Sequence, residues 1–131
     1  MYNIKPIGIV RNDITNRSGM STPGTKSTIE IYPEYIEGLK SLENNSHIVI
    51  LCYLHQARRE TLIVTPKKSK HNLGTNIGVF ATRSPDRPNP ISVSVVKLLS
   101  INNNILDIDK LDSIDGTPVI DIKPYLPDND K

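Results

Sequence analysis

The sequence predicts a mainly β domain, a small closed or nearly closed antiparallel barrel of about seven strands with one short helix. The chain has 131 residues, which fits a single domain with one hydrophobic core. Its apolar residues fall in short runs separated by turn-forming residues, as antiparallel strands do. Only one segment has apolar residues at helical spacing.

The first half of the chain is predicted to contain three strands and the helix. Pro6 places the first strand near a sheet edge, and residues 12–26, rich in Asn, Ser, Thr and Gly, are predicted to be a long loop. Pro33 suits the first turn of a helix that extends to about Leu42. The third strand is almost continuously apolar, which predicts a buried central strand. These strands are Asn3–Val10, Ser27–Tyr32 and His47–Leu54.

The second half is predicted to contain strands only. A polar loop over residues 66–76 separates the first two. The apolar run that begins at Ile91 fits a helix or a strand, and its β-branched residues favour a strand. Turn signals follow at Asn102-Asn103-Asn104 and at Asp115-Gly116. The predicted strands are Thr61–Thr65, Ile77–Ala81, Ile91–Leu99, Ile105–Ile108 and Val119–Ile122.

Charge and composition narrow the class of protein. The net charge is only +2, yet residues 55–90 hold seven Lys or Arg and two acids, so that the rest of the chain is net negative. This basic segment is either a solvated face or a surface for a phosphate-bearing partner. No apolar run is long enough to span a membrane, and the first ten residues do not form a signal peptide. The single cysteine, Cys52, predicts a reducing, cytoplasmic compartment.

Several common chemistries lack their motifs. The seven glycines form no G-x-G-x-x-G, which makes a Rossmann cofactor site unlikely on this sequence, and the phosphate-binding loop and nucleophile-elbow motifs are also missing. Zinc requires three or four ligands, whereas His47 and His55 lie about 26 Å apart on one extended strand, and Cys52 points away from His55. We therefore expect no metal site.

The segment from Gly78 to Ile91 is the most informative. It runs from a predicted strand into a loop that holds three prolines, so the loop loses little entropy when it presents side chains to a ligand. Arg83 and Arg87 suit a carboxylate or a phosphate, and Asn89 suits an amide or a base edge. The alternatives are a turn whose arginines pair with acids, or a polyproline ligand for another domain.

The run Gly-Val-Phe-Ala-Thr-Arg-Ser-Pro-Asp-Arg-Pro-Asn-Pro-Ile (78–91) resembles the signature of the TsaA/TrmO-like (YaeB-like) family. Ile7–Arg11 resembles that family's opening strand, Leu54-His55-Gln56 its His-Gln pair, and Asp115–Pro127 its closing motif. The matching pieces cover nearly the whole chain in the expected order. We expect the barrel domain to span residues 1–127, with a frayed tail over 128–131 and no C-terminal extension domain.

The resemblance implies a seven-stranded antiparallel barrel, usually a homodimer, that binds S-adenosylmethionine without a Rossmann fold. Family members with assigned activity methylate N6 of threonylcarbamoyladenosine beside the tRNA anticodon. In the implied site, Arg83 binds the methionine carboxylate, Gln56 the ribose or adenine, Val93 forms an apolar wall, and Gly116 admits adenine. The cofactor contacts implied are Thr22, Pro23, Gly24, His55, Gln56, Arg83, Val93, Asp115, Gly116, Thr117 and Pro118; Thr22 stands where the family has Gln.

The chemistry of the implied reaction adds further candidates. The acceptor nitrogen belongs to a urea and is a poor nucleophile until its proton leaves, so a general base is expected, either His55 or Asp115. The modified nucleoside also carries a carboxylate, which Arg87 or Lys67 suits, while Asn89 suits a base edge. Two rival functions remain open: a small basic barrel that binds nucleic acid without catalysis, and a methyltransferase with a different acceptor.

Overall fold

Six antiparallel strands form a closed barrel within residues 1–14, 25–66 and 74–130, the parts of the chain that this computed structural model describes. Around the barrel the strand order is β1-β2-β7-β6-β3-β8, and β8 pairs with β1 to close it. The strands of the chain are β1 (Gly8–Arg11), β2 (Thr25–Ile31), β3 (His47–Tyr53), β4 (Ile63–Val64), β5 (Ile77–Gly78), β6 (Ile91–Asn102), β7 (Ile105–Leu111) and β8 (Pro118–Pro124).

The predicted fold class is confirmed, but the predicted strand number in the barrel is wrong: it is six and not seven. The short strands β4 and β5 pair only with each other, in a separate two-stranded sheet. Each has two residues, too few to cross the barrel. The predicted strand Ile77–Ala81 ends at Gly78, because Val79–Ala81 turns into a 3-10 helix that buries Val79 and leaves Phe80 79% exposed.

The predicted helix from Pro33 to about Leu42 is present as two short 3-10 helices, Pro33–Leu39 and Leu42–Asn44. Ser41, which has a positive φ of 70°, separates them. Their side chains Tyr35, Leu39 and Leu42 pack against the core of the barrel. None of the helices in the described ranges is long and apolar enough to cross a membrane.

The core lies inside the barrel, where each strand turns alternate side chains inward. In β3 these are Ile48, Ile50 and Cys52, while the residues between them are only partly covered. Burial raises the pKa of the Cys52 thiol to about 11, although contacts with the hydroxyls of Ser113 and Ser92 oppose the rise. The other fully buried core residues are Val10, Ile29, Ile31, Leu106, Ile108, Leu111 and Val119.

The first strand starts at Gly8 and not at the predicted Asn3, and this glycine pairs with Ile31 of β2. A Cβ at Gly8 would lie 2.5 Å from the carbonyl oxygen of Glu30 and 3.1 Å from the Cδ1 of Ile31. The colliding carbonyl belongs to the backbone of β2, so a side chain at this position forces the two strands apart. Only glycine allows this register.

We expect Gly8→Ala to lower the free energy of unfolding by about 1–3 kcal/mol, because the new methyl group overpacks the β1–β2 contact. The matched control is Gly38→Ala, since a Cβ at Gly38 meets nothing within 4 Å. Denaturant unfolding followed by circular dichroism compares the two variants. Equal stability of both variants would contradict this account of the contact.

Candidate functional site

A cavity of about 610 Å³ opens at the end of the barrel where β3 ends and β6 begins. Its volume lies in the range of small-molecule sites, about 300–1,000 Å³. Four segments of the chain meet there: the turn after β3, the proline-rich bend, the start of β6 and the loop before β8. The lining residues are Leu54, His55, Gln56, Ala57, Thr82, Arg83, Ser84, Pro85, Arg87, Ile91, Ser92, Val93, Ser94, Asp112, Ser113, Ile114 and Thr117.

The proline-rich bend (Thr82–Pro90) is held in shape by Arg87. Its Nη1 donates to the backbone oxygens of Thr82 (3.1 Å) and Ser84 (3.0 Å), and its Nη2 donates to that of Val79 (3.1 Å). These three hydrogen bonds therefore join the bend to itself and to the 3-10 helix before it. The sequence interpretation assigned Arg87 to substrate binding; in the structure it lines the cavity, and its guanidinium also supports the loop through these hydrogen bonds.

The bend is also fastened to the turn after β3. The carboxylate of Asp86 accepts a hydrogen bond from the backbone N–H of Arg58 (2.8 Å), and Arg87 N donates to Arg58 O (3.0 Å). The guanidinium of Arg59 donates from Nε to Pro88 O (3.0 Å). These bonds keep the bend and the His55–Gln56 turn at a fixed distance across the cavity.

Arg83, in contrast, makes no hydrogen bond or ion pair with the described part of the chain. The alternative in which the arginines of this turn pair with acids, such as Asp86, therefore does not apply to Arg83 within the described residues. Its exposed guanidinium lines the cavity together with the exposed side chains of His55 and Gln56. No described residue uses the hydrogen-bonding groups of these three side chains.

The loop before β8 is held by Asn12, which follows β1. Its Nδ2 donates to Ser113 O (2.7 Å) and to Ser27 Oγ (3.0 Å), and its backbone N–H donates to the carboxylate of Asp115 (3.1 Å). Thr117 closes a turn by donating to Ile114 O through both its backbone N–H (3.2 Å) and its hydroxyl (2.7 Å).

Gly116 occupies the position of this turn with a positive φ of 85°, a conformation that favours glycine. The predicted Asp115-Gly116 turn is thus present. However, neither residue lines the cavity, and the carboxylate of Asp115 holds the backbone of Asn12. The interpretation of Asp115 as a general base therefore lacks support from its position, because the carboxylate acts within the loop.

The cavity brings together six of the residues predicted for the site. They are His55, Gln56, Arg83, Arg87, Val93 and Thr117. Asn89 and Pro118 line a neighbouring cavity of about 410 Å³, which shares Ile91 with the first. Thr22, Pro23, Gly24 and Lys67 lie outside the described residues.

The lining residues that the sequence interpretation missed include Ser92, Ser94, Asp112 and Ser113. A signal was available for the first two, since small polar residues alternate with valines along a predicted strand and so share its inner face. Asp112 and Ser113 carry no such pattern.

Within the described ranges, no three His, Cys, Asp or Glu side chains are grouped in a way that could hold a metal ion.

Comparison with known proteins gives a consistent result. A family model described as the tRNA-methyltransferase O N-terminal domain matches residues 11–131. An S-adenosyl-L-methionine-binding protein of Archaeoglobus fulgidus is 40% identical over 131 residues, which cover 97% of this chain and 91% of that protein.

Solved structures agree with this. The crystal structure of TrmO from Pseudomonas aeruginosa matches with a TM-score of 0.79 and 33% identity, over 99% of this chain and 58% of that one. A further TrmO crystal structure matches with a TM-score of 0.79 and 35% identity, over 99% of this chain and 60% of the other. The chain therefore spans less than two thirds of these TrmO chains. Because the family model matches most of its residues, the chain belongs to the TrmO N-terminal domain family.

Proposed function

We propose that this domain is an S-adenosylmethionine-dependent tRNA methyltransferase that acts on N6 of threonylcarbamoyladenosine next to the anticodon. The observation that carries the proposal is the convergence of His55, Arg83 and Thr117, from three distant segments, on one cavity. Membership of the TrmO family supports the reaction class, and the names of its relatives support the cofactor. A cytoplasmic location is part of the same proposal, since tRNA is modified there.

The residues of the cavity fit S-adenosylmethionine. The methionine tail of the cofactor ends in a carboxylate, for which the guanidinium of Arg83, unpaired among the described residues, offers donors in a planar fork. Gln56 offers both a donor and an acceptor to the ribose or the adenine, and Val93 offers apolar surface.

When bound, S-adenosylmethionine supplies a methyl group activated by a sulfonium. The residues of the cavity have to hold the acceptor nitrogen about 3 Å from that methyl carbon and in line with its bond to sulfur. His55 is the proposed base, because it lines the cavity and its ring has no hydrogen bond to described residues. Bound S-adenosylmethionine would supply the methyl group and leave as a thioether, and His55 would accept the N6 proton.

The acceptor is proposed to enter past Ile91, which borders both cavities. The neighbouring cavity contains Tyr53, Arg59 and Asn89, side chains that suit a stacked or hydrogen-bonded base. The guanidinium of Arg59 already donates to Asn89 Oδ1 (3.4 Å), which leaves the amide N–H₂ of Asn89 for the ligand. Lys67 remains a proposed partner of the nucleoside carboxylate.

We expect Arg83→Ala to weaken the binding of S-adenosylmethionine at least tenfold, or about 1.4 kcal/mol, because a charged hydrogen bond to the carboxylate is lost. Isothermal titration calorimetry measures the change. Arg11→Ala is the control, since Arg11 is an exposed cation on β1 that does not line the cavity. An unchanged affinity would remove Arg83 from the site.

We expect the purified chain to transfer a labelled methyl group to tRNA that carries threonylcarbamoyladenosine and not to the same tRNA without that modification. At saturating cofactor, His55→Ala is expected to slow the transfer by about 100-fold or more, as the loss of a general base does. His47→Ala is the control. Mass spectrometry of the digested nucleosides identifies the product. Cofactor binding without transfer to this nucleoside would favour a different acceptor, and a chain that binds RNA but no cofactor would favour the binding module.

We further propose that the domain forms a homodimer through the outer face of β3 and β6. Three directly opposed pairs on this face are apolar: Val49–Val95, which the partner covers, and Leu51–Val93 and Tyr53–Ile91, which lie at the edge of the interface next to the two cavities. The β6 members are 37–50% exposed. Beside them, β8 presents the ion pair of Lys123 and Asp121 (3.1 Å). An apolar stripe with a charged border is typical of an interface.

We expect Val95→Glu to convert the dimer to a monomer, because a carboxylate is then buried without a partner. Light scattering coupled to size-exclusion chromatography measures the mass, which should fall to 14.6 kDa per particle. Ile36→Glu is the control, since Ile36 is 40% exposed on the first 3-10 helix and lies off this face. A monomeric parent chain would contradict the proposal directly.

A further inference from the structure

Phe80, the single phenylalanine of the chain, faces solvent just before the proline-rich bend. It is 79% exposed, although phenylalanine is among the residue types most often buried. The residue before it, Val79, is 1% exposed, so the short 3-10 helix directs one apolar side chain inward and the next one outward. Leu62, whose carbonyl accepts the backbone N–H of Val79 (2.9 Å), is also exposed, at 59%. Neighbouring exposed apolar side chains mark a surface that binds a partner.

The backbone that carries the Phe80 ring is held by several hydrogen bonds. The carbonyl of the peptide between Val79 and Phe80 accepts the backbone N–H of Thr82 (3.0 Å) and the Thr82 hydroxyl (2.9 Å). The same oxygen accepts the Nη2 of Arg87 (3.1 Å). A side chain on such a support loses little backbone entropy when it binds a ligand. The exposed ring is therefore presented by a fixed turn.

Arg58 lies close to the same turn. The backbone N–H of Arg87 donates to Arg58 O (3.0 Å), while the guanidinium of Arg87 holds the Phe80 peptide, so that Arg58 and Phe80 both adjoin one residue. The side chain of Arg58 is exposed, and its guanidinium makes no hydrogen bond or ion pair with described residues. An exposed cation thus accompanies the exposed ring.

The charge around the ring is positive overall. The described residues 55–66 and 74–90 contain four arginines and two acids. One of the acids, Asp86, accepts the backbone N–H of Arg58 (2.8 Å), and the other, Glu60, is exposed. Aromatic rings beside positive charge are typical of surfaces that bind single-stranded nucleic acid, because the ring stacks on a base and the cation meets a phosphate. Of the possible partners, RNA fits this combination best.

The ring and the cation lie just outside the two cavities. Thr82, two residues after Phe80, lines the first cavity. Arg58 stands between Ala57, which lines the first cavity, and Arg59, which lines the second. Two residues of chain span at most about 7 Å. A nucleotide next to one that occupies the cavity can therefore reach the Phe80 ring.

The proposed substrate provides such a nucleotide. The acceptor adenosine has to leave the base stack of the anticodon loop before its N6 can enter the cavity, and its neighbour then loses a stacking partner. Bases of single-stranded loops are commonly bound by stacking on aromatic side chains. An exposed ring beside the cavity replaces the lost partner whichever base the neighbour carries, because every base has a π face.

We propose that Phe80 and Arg58 form an RNA-binding surface beside the cavities, where the Phe80 ring stacks on the nucleotide next to the acceptor and Arg58 binds a phosphate of the same strand. The inference rests on the proposed function, which supplies the RNA. Both residues bind the substrate and not the cofactor. Their loss is therefore expected to weaken RNA binding while the affinity for S-adenosylmethionine stays unchanged.

The first test measures the binding of a labelled anticodon stem-loop RNA that carries threonylcarbamoyladenosine, by fluorescence anisotropy. Phe80→Leu keeps an apolar side chain but removes the ring, and it is expected to weaken binding about fivefold or more, as the loss of one stacked base does. Phe80→Tyr keeps the ring and is expected to bind within about twofold of the parent chain. Ile36→Ala is the control, since Ile36 is an exposed apolar residue on the first 3-10 helix.

The second test measures how the affinity for the same RNA depends on salt. We expect Arg58→Gln to weaken binding and to reduce the slope of the logarithm of the binding constant against the logarithm of the salt concentration by about one, as for one lost phosphate contact. Arg11→Gln is the control, because Arg11 is an exposed cation on β1. An unchanged slope in Arg58→Gln would contradict the phosphate contact.

Two further measurements distinguish RNA from other partners of the ring. Because Phe80 is largely exposed, Phe80→Leu is expected to leave the melting temperature unchanged, and a lower value would assign the ring to the fold. Phe80→Glu is expected to leave the particle mass from light scattering unchanged. A mass that falls to half in this variant would assign the ring to a second copy of the chain and overturn the proposal.

The outcomes separate this surface from the proposed function. If the parent chain methylates the stem-loop but Phe80→Leu binds it as tightly as the parent does, the surface is wrong and the proposed function stands. If binding depends on Phe80 but the parent chain transfers no methyl group, the surface is supported and the proposed reaction is wrong. A parent chain that does not bind the stem-loop contradicts both.

Discussion

The hydrogen bonds of β1 to β2 on one side and to β8 on the other close the barrel, and the position of the cavity depends on that closure. Beyond the paired residues, Val10 exchanges backbone hydrogen bonds with Gly116 (2.8 Å) and Thr117 (2.9 Å). Asn12 then ties Ser113 and Asp115 to the end of the same strand across about a hundred residues of sequence. Contacts so distant in sequence are costly in chain entropy. The buried core of the barrel offsets that cost, so the site depends on the fold as a whole.

The two arginines of the proline-rich bend illustrate how one residue type serves two purposes in a single loop. Arg87 directs its donors at three backbone carbonyls of its own segment, which a planar group with five N–H donors does well. Arg83, four residues earlier, is left without a partner in the described structure. Because Arg87 and the prolines already fix the loop, an ion pair of Arg83 is not needed for its shape. A guanidinium on a rigid support binds a ligand with little further loss of entropy.

The sequence predicted those parts of the fold and site that depend on local signals. Alternation identified the strands of the barrel, and the Asp115-Gly116 pair identified a turn that requires a positive φ. Strand pairing is a long-range property, and so β4 and β5 were wrongly counted in the barrel. The hydrogen-bond partners of Arg87 could not be predicted, since every residue has a backbone carbonyl and the sequence does not show which of them the guanidinium reaches. Asp112 was missed for a related reason, because only closure of the barrel brings it to the cavity.

The polarity of the cavity explains why a domain without a dinucleotide-binding motif suits the proposed cofactor. Glycine-rich loops and the N-termini of long helices serve ligands that carry phosphates, because their backbone N–H groups satisfy concentrated negative charge. S-adenosylmethionine has no phosphate, so it needs hydrogen-bonding edges for a nucleoside and one charge of each sign for an amino acid. The lining of the cavity includes neutral polar side chains, such as Gln56, and charged side chains of both signs, Arg83 and Asp112. Strand alternation and the loops at the mouth of a barrel can place both kinds of group around one cavity without a phosphate-binding loop.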